Sequence, residues 1–142
     1  FRSSRGGPGG TRTVARMGTF AVGERNKMLD AVVGRTTYTA NAAFYAKLHT
    51  GDPGSAGTAN AATETTRQAV TFGSAAASGS IANTVAVSWT NVSTTETVTW
   101  VSFWTASSAG TFLGSDDLSS SAALTAGDTL TIAISGLTLS IT

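Results

Sequence analysis

The strongest constraint on this chain is a period of two. Leu130, Ile132 and Ile134 alternate with Thr129, Thr131 and Ala133, and Leu137, Leu139 and Ile141 alternate with Thr138 and Ser140. Successive side chains on a strand point to opposite faces, so this period writes half-buried strands. The same pattern sets Phe44, Ala46 and Leu48 against Tyr45, Lys47 and His49, with that strand ending at Thr50-Gly51-Asp52-Pro53-Gly54. There Pro53 presets φ at the first turn position and Gly54 supplies the positive φ of a type II turn. Further strands are predicted at 68–72 (Val70 and Phe72 on one face), 84–90 (Val85, Val87, Trp89), 97–105 and 111–114. Seven short strands broken by Gly, Ser, Asn and Asp predict an all-β fold, an antiparallel β-sandwich or jelly-roll-like domain. The Ala/Ser/Gly stretch 74–80 reads as a turn between them.

One segment keeps a different period. Over 24–33, Met28, Leu29, Val32 and Val33 share a face while Glu24, Arg25, Lys27 and Asp30 lie largely elsewhere, which predicts one short N-terminal helix ended by a left-handed cap at Gly34. With fewer than three turns it must pack on something to persist. A single β domain over 17–142 is therefore expected, preceded by an extended arm over 1–16.

Composition decides how well such a domain can fill itself. Thr, Ala, Ser and Gly make up 81 of the 142 residues. Large core-forming side chains are correspondingly few, and a thin core favours help from neighbouring copies, so a homo-oligomer is expected. Charge is divided unevenly: the arm holds Arg2, Arg5, Arg12 and Arg16 with no acid, whereas 17–142 holds five bases and eight acids. An arginine arm on an acidic body predicts contact with protein, and these four arginines are the interface candidates. Direct nucleic-acid binding is not expected, since no recognition helix or aromatic RNA-binding motif accompanies them. No apolar run approaches the roughly 18 residues of a helical span, so no membrane partner is expected either.

The chemistry available is narrow. Cysteine is absent and His49 is the single histidine, which removes disulfides, thiolate metal sites and multi-histidine clusters. No cofactor or metal is expected, and no catalytic residue is assigned. His49 lacks a nucleophile motif and reads as a strand-end hydrogen-bonding residue. Asp116-Asp117 reads as a solvated turn without calcium-loop spacing, and Asn91-Val92-Ser93 as a chance glycosylation sequon. Strand 97–105 stands apart, because Val98, Trp100, Ser102 and Trp104 occupy one face and Val101 and Phe103 the other. A strand bulky on both faces needs cover on both, from the helix, the arm or another subunit. Trp100, Phe103 and Trp104 are accordingly candidates for an interface or, since Trp faces suit pyranose rings, for contact with a glycan, with Trp89 a further member of such a platform.

Several ordered motifs carry a resemblance. Leu48-His49-Thr50-Gly51-Asp52-Pro53-Gly54, then Arg67-Gln68-Ala69-Val70-Thr71-Phe72-Gly73, Ile81-Ala82-Asn83-Thr84, a Trp-rich strand and Ala126-Gly127-Asp128 together resemble the pattern of small virion proteins of tailed bacteriophages, of the tail fibre and minor tail kind. The likeness spans roughly 17–142. It implies a non-enzymatic structural subunit located in the virion, as tail fibre, minor tail or capsid decoration protein, with other virion proteins as partners. The alternative is a carbohydrate-binding module that attaches to a host-surface glycan; exposed Trp rings beside a polar groove would favour it.

Overall fold

The computed structural model describes residues 11–12, 19–74 and 79–140. Ten strands and one helix follow in the order β1 (Thr11–Arg12), β2 (Thr19–Phe20), α1 (Val22–Val32), β3 (Tyr45–His49), β4 (Gln68–Ala69), β5 (Ser80–Ala82), β6 (Val87–Trp89), β7 (Glu96–Trp104), β8 (Phe112–Leu124), β9 (Leu130–Ile132) and β10 (Thr138–Ser140). A five-stranded antiparallel sheet runs β2-β8-β7-β3-β4; smaller sheets β1-β9-β6 and β10-β5 complete a sandwich-like body, without closure into a barrel among the described residues. All pairings are antiparallel except β1 with β9.

The core follows the period of two except at the irregularity between Val98 and Trp100, where Val98, expected on the Trp100 face, joins Val101 and Phe103 in the core instead. Leu48 from β3, Val98, Val101 and Phe103 from β7, and Leu113, Leu118 and Leu124 from β8 meet Trp89, Leu130 and Ile132 of the smaller sheet, all buried. Alternation fails at the strand ends, where Val85 and Ile134, each expected to face inward, are exposed. The expected strand at 111–114 continues to Leu124. Asp116 and Asp117 therefore lie inside β8, opposite Val101 and Trp100, rather than in a turn. Between the pairs Val98–Ala122 and Trp100–Asp117, β8 advances five residues while β7 advances two. That irregularity holds the Ser-rich stretch whose lack of apolar alternation hid the strand.

Helix α1 does not bury the apolar face that its sequence pattern presents. Its Gly34 cap is as predicted: φ is +74°, Arg35 N–H bonds Asp30 O at 2.8 Å and Gly34 N–H bonds Ala31 O at 3.1 Å, the paired bonds of a Schellman motif. Yet the buried residue is Glu24, while Val22, Leu29, Val32 and Val33 are 62%, 63%, 83% and 66% exposed. Two donors from outside the helix hold Glu24 inward, Tyr38 Oη and Asn41 Nδ2 at 3.2 Å, and Lys27 Nζ, one turn along the same helix, adds a third at 3.3 Å. Burial works to raise the Glu24 pKa, but these hydrogen bonds and the Lys27 charge outweigh it and the carboxyl sits below its ordinary value. The phenol of Tyr38 answers in the opposite sense: burial, with the Glu24 contact added, pushes it up to about 12.

Candidate functional site

Strand β7 is covered on both sides by its own chain. On the core side lie Val101 and Phe103. On the other, register places Tyr45, Lys47 and His49 of β3 opposite Trp104, Ser102 and Trp100, and the segment 50–67 folds back over His49 and Trp104. Neither the helix nor a neighbouring subunit is needed to bury Trp104.

A chain of hydrogen bonds fixes that cover. His49 Nδ1 is 2.8 Å from Ala59 O, and a carbonyl can only accept, so Nδ1 carries the proton. Nε2 then accepts from Ser102 Oγ at 2.7 Å, and Ser102 Oγ in turn accepts from Trp104 Nε1–H at 2.8 Å. All three residues are buried. Burial, partly opposed by the Ala59 carbonyl and reinforced by Lys47, lowers the His49 pKa and keeps the ring neutral. This Ser–His pair has a carbonyl, not a carboxylate, behind the imidazole, and its hydroxyl is spoken for on both sides. It acts as a link holding the 50–67 segment to the sheet.

Some motif residues hold this segment and others hold turns elsewhere in the body. Asp52 Oδ1 accepts Gly54 N–H at 2.8 Å, and Gly54 has the positive φ expected of it, +72°. Gly57 lies where a Cβ would stand 2.3 Å from the Phe112 ring, so only glycine lets the loop come this close. Arg67 stacks its guanidinium 3.8 Å from the Trp104 ring centroid and donates to the carbonyls of Ala106 and Ala109. Asn83 donates to Val85 O and Ala133 O and accepts from Leu137 N–H, tying β5 to the last turns. In the Ala126-Gly127-Asp128 turn, Gly127 N–H and Asp128 O both bond the backbone of Val92.

Trp100 is treated differently from its partners. Trp89 Nε1–H is held by Thr66 O at 2.9 Å and Trp104 Nε1–H by Ser102, whereas the half-buried Trp100 gives its indole N–H to no described residue. It lines a 290 Å³ cleft with Phe20, Phe112, Arg25, Asp52 and Ser115. The cleft lies where β2, the first turn of α1 and the 52–55 turn meet β7 and β8. Parity alone put Trp100 with Trp104; only the path of the 50–67 segment separates them.

The remaining candidates fall as follows. Phe103 is fully buried in the core and Trp104 is 7% exposed. Arg12 lies in β1, whose backbone pairs with β9 of the same chain; Arg2, Arg5 and Arg16 are outside the described residues. Asp117 is exposed and Asp116 buried, on successive positions of one strand, and no group of three or more His, Asp or Glu able to hold a metal ion occurs among the described residues. Asn91 occupies a tight turn at φ +54°. Among the described residues, no helix is long and apolar enough to cross a membrane.

These features can be set beside known families. The family model of the podophage GP4 fiber I protein gp80 matches residues 21–140, from the start of α1 to the end of β10. The chain belongs to this fibre-protein family. No curated protein matches it. Membership of a phage fibre family makes the chain a component of the virion.

Proposed function

We propose that this member of the fiber I family is a non-enzymatic structural subunit that works through contacts between copies of itself, with helix α1 as the principal contact. The carrying observation is the helix that buries Glu24 and turns Val22, Leu29, Val32 and Val33 outward. Val22, Leu29 and Val33 recur at spacings of seven and four, the seam that associating helices present to one another. Three turns of helix are marginal alone, and α1 is the only helix among the described residues. A second copy of the same helix is therefore the occupant that fits. The arm arginines Arg2, Arg5, Arg12 and Arg16 supply a second contact in this reading, a cationic segment meeting the net-negative body of a neighbour. Host-surface glycan binding is the second reading, favoured by Trp100 at its cleft and disfavoured as a three-Trp platform, since Trp89 and Trp104 are enclosed.

Sedimentation velocity of the full chain and of Leu29→Asp tests the subunit reading. Leu29 is exposed on the subunit, so the variant should remain folded, with its thermal midpoint lowered by no more than the lost association accounts for, while the oligomer collapses to a 14.3 kDa species. A wild-type monomer at micromolar concentration, or an oligomer indifferent to Leu29→Asp, would overturn it.

A further inference from the structure

The cleft beside Trp100 has the composition of a small-molecule site, and we propose that it binds an uncharged pyranose, one residue or two of a saccharide. The inference deepens the glycan reading and does not depend on the helix contact. Two aromatic residues of the sheet, Trp100 and Phe112, line a concavity of 290 Å³ together with Phe20, which also packs against the core; the volume is near the lower end of the roughly 300–1,000 Å³ typical of ligand sites and suited to a ligand of one or two rings. Rings of this kind receive the C–H face of a pyranose, whose apolar side is broad and flat.

Polar groups stand around those rings without partners of their own. Among the described residues, the Trp100 indole N–H, the Arg25 guanidinium, and the Ser115 hydroxyl make no hydrogen bond or ion pair, and Asp52 uses only Oδ1, on Gly54 N–H. Two donors, one hydroxyl that can act either way and one free carboxylate oxygen match the mixed donor and acceptor pattern of vicinal hydroxyls. Charge points to an uncharged ligand, because one cation and one anion line the cleft without bridging each other. An anionic sugar would meet Asp52, and a cationic one Arg25.

The three tryptophans make the test internally controlled. Uniformly ¹⁵N-labelled full-length protein is titrated to about 100 mM with glucose, galactose, mannose, rhamnose and N-acetylglucosamine and with their disaccharides, and the indole N–H signals are followed. At least one sugar should move the Trp100 signal saturably while those of Trp89 and Trp104, already bonded inside the chain, stay in place. Asp52→Asn keeps the Oδ1 that accepts Gly54 N–H and should weaken the binding about tenfold, as loss of a charge-assisted hydrogen bond does; Arg25→Gln should act in the same direction. No shift with any sugar, or an affinity unchanged in both variants, overturns the proposal. Sedimentation of the same samples keeps the two readings apart, since an oligomer with an unresponsive Trp100 loses only the saccharide site and a monomer with a responsive one loses only the helix contact.

Discussion

Removing one oxygen atom should measure what the second cover of β7 is worth. In Ser102→Ala, Trp104 Nε1–H loses its acceptor and His49 Nε2 its donor, at 2.8 and 2.7 Å, in a place where all three residues are buried. Each polar group left unsatisfied in such surroundings costs about 1–3 kcal/mol. Partial relaxation of Trp104 toward the loop offsets some of this, so the expected loss is about 3 kcal/mol. For a chain of this size that lowers the thermal midpoint by roughly 10 °C. Urea unfolding followed by tryptophan fluorescence gives the value directly. The pair Ser102→Ala and His49→Phe should be non-additive by about 1 kcal/mol or more, since the second change removes a group the first has orphaned. The same network sets a pH limit. The folded His49 pKa lies below the ordinary 6.5, so the unfolded chain binds the proton first, and stability present above 6.5 declines as pH falls below it. In His49→Phe that decline should vanish. A Ser102→Ala loss under about 1 kcal/mol, with additivity toward His49→Phe, would refute the network as a structural link.

Two further outcomes follow from single contacts. Gly57→Ala places a methyl into the Phe112 ring at a φ of +72° and should cost about 2–4 kcal/mol by urea unfolding, from overpacking together with the left-handed backbone; Gly23→Ala, on the helix with open space around it, should instead stabilise by about 0.5–1 kcal/mol. The contact between α1 and the segment carrying Tyr38 and Asn41 should be lost at both extremes of pH, as read by hydrogen exchange of their amides. The depressed Glu24 gives stability that disappears as pH falls below the ordinary carboxyl value of 4.5, and the raised Tyr38 gives stability that disappears as pH climbs from 10 toward 12.

The sequence by itself determined the all-β class, the single helix and its Gly34 stop, and the division of Val101 and Phe103 from Trp100 and Trp104 onto opposite faces, while the structure decided that Val101 and Phe103 face the core. The features read from the sequence rest on neighbours at most a few residues apart: a period of two, a period of 3.6, and a glycine that tolerates positive φ. It did not disclose β5 or the far half of β8, because Ser80–Ala82 and Ser119–Ala123 are small and polar enough to read as turns, and their partners alone make them strands. Tertiary structure alone decided which side of the helix is buried. Its orientation depends on Tyr38 and Asn41, fourteen and seventeen residues past Glu24, whose two hydrogen bonds hold the Glu24 side of the helix against their segment. It also divided Trp104 from Trp100. Both share a face by parity, but His49, Ser102 and the glycines at 54 and 57 bring the 50–67 segment down over one ring and leave the other at the wall of a cleft, a distinction made by contacts 53 residues apart in the chain.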